Sequence, residues 1–91
     1  MTVTIDVPAP LRTYTGGAPR FQLDADSVRA ALDEIERRYP SLYTSICDET
    51  GAVRRHINVF VNTLNVRDER GLDTALAQGD VVTIMTAVSG G

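Results

Sequence analysis

One cysteine, one histidine, no tryptophan and no lysine stand among the 91 residues. Cys47 alone cannot close an internal disulfide, and Cys47 with His56 falls short of the three or four ligands of a zinc site, so no metal is expected. Without lysine the phosphate loop ending in Gly-Lys-Ser/Thr cannot be built, and no Gly-x-Gly-x-x-Gly follows a strand pattern. No apolar run approaches the ~20 residues that cross a bilayer, and Met1 to Leu11 has neither the basic start nor the apolar block of a signal peptide. A cytoplasmic chain without membrane contact is the expectation. Nine basic residues, all arginine, face twelve acidic ones for a formal net charge of -3. With only five aromatic residues, that balance suits nucleic acid poorly. The missing lysine is read as codon usage, since arginine replaces it at most surface sites.

What is present reads as one small domain over residues 1–91. Val3, Ile5 and Val7 alternate with Thr4 and Asp6, the period of a half-buried strand, and Pro8 and Pro10 end it. Thr15-Gly16-Gly17 marks a turn, after which Phe21 and Leu23 alternate as a returning antiparallel strand. Ser27 stands before Val28, Ala31, Leu32, Ile35 and Tyr39, whose spacing by three and four predicts a capped amphipathic helix that Pro40 stops. Asp33 with Arg37 and Glu34 with Arg38 are placed to pair on its outer face.

Between Ser41 and Arg55 the pattern weakens to a connection, with Leu42 and Ile46 hinting at a helical turn. Ile57, Val59 and Val61 predict a third strand, and Asn62 to Asn65 a turn into a short stretch around Val66. Leu72, Ala75 and Leu76 suggest one more helical turn before Gly79-Asp80. Val81 to Val88 is a β-branched strand running into Ser89-Gly90-Gly91. Uneven mixing of this kind predicts an α+β fold, a mixed sheet of four to five strands with one main helix on one face. If Val3, Ile5, Val7, Ile57, Val59, Val61, Val82 and Ile84 face that helix, alternation turns Phe60, Val81 and Met85 outward as an apolar patch for a partner.

No catalytic constellation emerges. Ser89, His56 and an aspartate compose a hydrolytic triad only on paper, because nothing fixes a serine so near the end against a base. His56 is read as a surface imidazole at a strand start, Cys47 as a small buried apolar residue, and Arg37-Arg38 with Arg54-Arg55 as surface or rim charges. The end of the chain carries more information. A buried-type strand leads within a few residues to two glycines, and glycine lets backbone enter a narrow channel because no Cβ blocks it. Ala87, Val88, Ser89, Gly90 and Gly91 are therefore read as a flexible tail.

Several stretches together resemble a known family. They are Val3-Thr4-Ile5-Asp6-Val7-Pro8, the Thr15-Gly16-Gly17 loop, His56 to Asn62, Val66-Arg67, Gly79-Asp80 with the strand after it, and Ala87 to Gly91. In these the chain resembles the sulfur carriers of the ubiquitin-like β-grasp superfamily, of ThiS and MoaD type. It is most similar to the CysO-type carriers of actinobacterial cysteine biosynthesis, then to the small subunit of molybdopterin synthase. Thr86 departs from the proline the family often has there, and Ser89 from a common alanine.

The resemblance implies that the protein is a cosubstrate and not an enzyme. The Gly91 carboxylate would be adenylated by an E1-like activating partner that holds the ATP, and then converted to a thiocarboxylate. Its sulfur would pass to an acceptor enzyme, a PLP-dependent cysteine synthase acting on O-phosphoserine or another thiolating synthase. The free carrier would be a monomer with no cofactor of its own. A different reading of the same residues is a non-conjugating ubiquitin-like interaction module whose sheet face alone binds partners.

Overall fold

The computed structural model describes residues 1–86. Strand β1 (Thr2–Asp6) pairs antiparallel with β2 (Arg20–Asp24), with Val3 opposite Leu23 and Ile5 opposite Phe21. Helix α1 (Val28–Arg38) and the shorter α2 (Pro40–Ile46) come after it, then β3 (Ile57–Val61), β4 (Leu64–Asn65) and β5 (Val81–Thr86). The five strands order β2-β1-β5-β3-β4, so the first and last strands lie side by side and parallel in the middle of the sheet. This is the mixed sheet expected, at the five-strand end of the range.

Burial follows the alternation. Val3, Ile5, Val7, Ile57, Val59, Val61, Val82 and Ile84 are all buried, and Val28, Ala31, Leu32 and Ile35 of α1 close over them. The Ser27 hydroxyl accepts the Ala30 N–H at 3.1 Å, capping the helix as its side chain predicts. Pro40 both ends α1 and occupies the first turn of α2, where its missing N–H and fixed φ cost nothing. The connection is therefore more structured than its pattern suggests, since Leu42 and Ile46 are completely buried.

Four local expectations are corrected. Tyr39 lies just past α1 and packs its ring, tilted by 59°, 4.9 Å from that of Phe21. Arg37 pairs with Glu34 instead of Asp33, and Arg38 reaches the same carboxylate at 3.2 Å. The turn near Leu72 spans Gly71–Asp73 alone, while Ala75 forms an isolated bridge with Ser27. The segment after β1 is not open loop but a 3-10 stretch, Ala9–Thr15, closed by Gly16 in the left-handed region at φ 67°. Thr15 holds it by donating to the carbonyls of Arg12 and Ala18. The last strand is described as far as Thr86, so Val88, expected within it, lies outside the described residues.

Candidate functional site

The face of the sheet away from the helices is assembled by register. Thr83 sits at its centre, opposite Asp6 on one side and Phe60 on the other, with Val81 opposite Thr4 and Met85 opposite Asn58. Phe60 is the diagonal neighbour of both Val81 and Met85, within reach of long side chains. The three residues expected to share a face thus do share one. Their exposure differs from the expected patch, because only Met85 is open at 49 %, while Phe60 and Val81 are half-buried. Asn65 opposite Phe60 and the polar Thr4 and Thr83 break the surface into apolar points on a polar ground.

What fixes this face is the turn before β5. Gly79 adopts φ 85° and donates its N–H to the Thr2 carbonyl at 2.8 Å, a conformation that glycine takes without strain. The Asp80 carboxylate accepts the Ala77 N–H at 2.8 Å and the Asn62 side-chain amide at 3.1 Å. Asn62, itself at φ 56°, exchanges bonds with Val81: its N–H donates to the Val81 carbonyl, and its side-chain oxygen accepts the Val81 N–H. The Asp80 carbonyl accepts the Thr4 N–H at 3.0 Å. A short Gly-Asp sequence therefore locks β1, β3 and β5 together at one end. That register also sets where β5 leaves the other end of the sheet, beside Ile57.

Around this exit the polar groups are held by neutral partners. Arg67 donates to the Asn58 side-chain oxygen at 2.6 Å and to the Arg54 carbonyl at 3.1 Å, and Asn65 donates to the same Asn58 oxygen at 3.4 Å. On the β1 side, Arg12 donates to the Val7 carbonyl at 3.0 Å and shares a groove with Met85, Thr83 and Asp6. The sequence pattern does not single out Arg12 and Arg67 near Met85, or the Asn62–Asp80 clamp, as parts of one site. The Gly-Asp pair is the available signal for the clamp, and nothing in a one-dimensional pattern brings Arg12 next to Met85.

The remaining chemical candidates fall outside this face. His56 is exposed at the entry to β3. Cys47 is buried at 1 %, and burial, the largest influence, pushes its thiol up to about 11, so it stays protonated. Tyr43 is pushed up from the ordinary phenol value, again first by burial. Among the described residues no group of three His, Cys, Asp or Glu side chains could hold a metal ion, and no helix is long and apolar enough to cross a membrane. An apolar depression of about 220 Å³ beside Val53, Val59, Val66 and Leu72 is smaller than the ~300 Å³ at which ligand pockets begin. Ala87, Val88, Ser89, Gly90 and Gly91 lie outside the described residues.

Comparison with known proteins places the chain in a family. A family model described as ThiS family matches residues 5–91. Over 93 aligned positions covering all of both chains, it is 38% identical to the sulfur carrier protein CysO of Mycobacterium tuberculosis. The crystal structure of that CysO superposes with a TM-score of 0.87 at 36% identity, covering 94% of this chain and 99% of the other. CysO in the Amycolatopsis orientalis BexX/CysO complex gives a TM-score of 0.90 at 36% identity over 98% and 99%. The small archaeal modifier protein 1 of Methanosarcina acetivorans gives 0.84 at 31% over 99% and 96%. Matched by the family model over residues 5–91 and 38% identical to a CysO along its whole length, the chain belongs to the ThiS family and is a sulfur carrier of the ubiquitin-like β-grasp fold.

Proposed function

We propose that the reacting group is the α-carboxylate of Gly91 and that partner enzymes supply all the catalysis. An E1-like enzyme joins this carboxylate to the AMP moiety of ATP with release of pyrophosphate. A sulfur nucleophile at the sulfide level then attacks the activated carbonyl, AMP leaves, and a thiocarboxylate remains. The carrier has done its part once it delivers that sulfur to an acceptor enzyme. The observation that carries the reading is similarity to CysO over the whole of both chains, and this chain has Gly90-Gly91 as its last two residues.

The structure supports it through reach. Residues 87–91 can span at most about 18 Å when fully extended. An enzyme that receives Gly91 therefore comes within that distance of the end of β5, where Met85 and Phe60 lie. Ordering a tail in an active-site channel costs roughly 1 to 2 kcal/mol per residue, and contacts made by the sheet face offset that cost. We assign Phe60, Val81 and Met85 to this docking, and Ala87, Val88, Ser89 and Gly90 to the channel.

The acceptor we favour is a PLP-dependent cysteine synthase using O-phosphoserine, in keeping with the similarity to CysO. The CysO of A. orientalis is captured in a complex with BexX, which supports direct docking of such a carrier on a partner protein. ATP and PLP belong to the partners, the free carrier is monomeric, and the cytoplasm, where ATP is available, is its place of work.

Intact mass spectrometry tests the proposal directly. The protein is incubated with ATP, a sulfide source and an E1-like activating enzyme from the same organism. A mass gain equal to exchange of one oxygen for sulfur is expected, and none for a chain lacking Gly91. An unchanged mass, while the enzyme activates a known carrier, would overturn it.

A further inference from the structure

The arginines divide into two groups. Among the described residues Arg20, Arg29, Arg37 and Arg38 each lie within ion-pair distance of a carboxylate. Arg12, Arg54, Arg55, Arg67 and Arg70 do not, and of these five Arg12 and Arg67 are tied, by a groove and by a hydrogen bond, to the strand positions around Met85. Each of these two is positioned by oxygen atoms that carry no charge: the Val7 carbonyl for Arg12, and the Asn58 amide oxygen and Arg54 carbonyl for Arg67. Hydrogen bonds of this kind aim a guanidinium without cancelling it. The acidic residue lining the Arg12 groove is Asp6, which Arg20 already faces at 3.9 Å.

These two uncancelled charges flank one exposed apolar side chain. Arg12 lines the groove on the β1 side of Met85, and Arg67 is bonded to Asn58, the residue opposite Met85 on β3. β1 and β3 lie on either side of β5 and are about 10 Å apart. On a chain of net charge -3, two such guanidinium groups beside Met85 make a local positive fringe.

We infer that Met85, bracketed by Arg12 and Arg67, is a docking element for the tail-handling enzyme, whose complementary surface is an apolar slot with a carboxylate on each side. The inference rests on the carrier reading above. Reach and charge together name the occupant. A partner that takes up a five-residue tail comes close to its root, and what covers two aimed guanidinium groups has to be acidic to avoid like-charge repulsion. Rim charges of this type act mainly on the rate of encounter and its dependence on salt.

The test measures activation kinetics and association by the E1-like enzyme for the unaltered protein, R12E/R67E, R12Q/R67Q and the control R29E. The expected result is an association rate about tenfold lower for R12E/R67E, with an intermediate loss for the glutamine pair and none for R29E. KM rises accordingly, the saturating rate holds, and the salt dependence of association flattens. The glutamine pair keeps side-chain donors for the carbonyls, and equal melting temperatures confirm that folding is intact. Unchanged association and salt slope, an equal loss in R29E, or a dimer in sedimentation that the double variant abolishes would each overturn the inference. If the unaltered chain gains no sulfur, the carrier reading itself fails. If it gains sulfur and R12E/R67E associates normally, only the docking inference falls.

Discussion

Asp80 is the residue on which the geometry of the site turns. Its carboxylate accepts from Ala77 and Asn62, and its carbonyl accepts from Thr4. Removing the carboxylate leaves two donors at the start of the central strand to find water instead. Asp80→Ala is expected to lower stability by about 1 to 2 kcal/mol in urea unfolding, and Gly79→Ala by about 1 kcal/mol, because φ 85° strains any Cβ even where space is open. Equal stability of both variants would mean that the turn does not set the register of β5.

Titratable residues give a second test at this scale. Glu34 is held below its ordinary value, first by the hydrogen bond from Arg37, and Asp48 below its own, first by the hydrogen bond from Thr50. A lowered carboxyl stabilises the fold at all pH values above the unfolded range near 4, and that contribution is lost as pH falls through the depressed folded value. Glu34→Gln and Asp48→Asn should therefore shallow the acid limb of a stability-against-pH curve and leave its neutral limb parallel. The Cys47 thiol, pushed up to about 11, works in the other direction, its contribution present below the unfolded thiol value and lost as pH rises toward the folded one. At pH 8 a thiol reagent should label Cys47 only as fast as the protein opens.

At the scale of elements, α2 is the segment whose importance the pattern conceals. Leu42 and Ile46 are completely buried, so the stretch between α1 and β3 belongs to the core. Leu42→Ala should cost about 2 to 5 kcal/mol by thermal or urea unfolding; a cost under about 1 kcal/mol would return it to the status of a connection. The sequence makes α1 and the inner strand faces legible because their periods repeat several times: Val28, Ala31, Leu32 and Ile35 on the helix, Ile57, Val59 and Val61 on β3. It conceals α2 because seven residues carry barely two turns, and because Pro40, a stop for α1, is equally a start for a second helix. The 3-10 stretch Ala9–Thr15 is hidden for a similar reason, since two prolines mark the end of a strand without fixing the backbone beyond it. Phe60, Val81 and Met85 are legible as one face from alternation alone. Their unequal exposure is not, because it depends on which neighbours, Asn65, Thr4 and Asn58, the register happens to supply.

For the molecule as a whole, docking and chemistry can be separated experimentally. Among the described residues the core runs from Val3 to Ile84. Deleting Gly90 and Gly91 should therefore leave the unfolding curve unchanged while abolishing the gain of sulfur. The shortened chain still carries Phe60, Val81 and Met85, so it should occupy the activating enzyme and act as a competitive inhibitor of full-length carrier. Phe60→Asp makes the converse cut: the tail is intact, but a charge sits at the centre of the docking face, and both activation and inhibition should weaken. If the shortened chain inhibits and Phe60→Asp does not compete, face and tail do separate work, as a carrier requires. Should the shortened chain bind nothing, the tail itself would hold most of the affinity and the sheet face would be bystander surface. Should Phe60→Asp abolish all partner binding while loss of the two glycines changes no function, the protein would be an interaction module, and the Gly-Gly ending incidental to it.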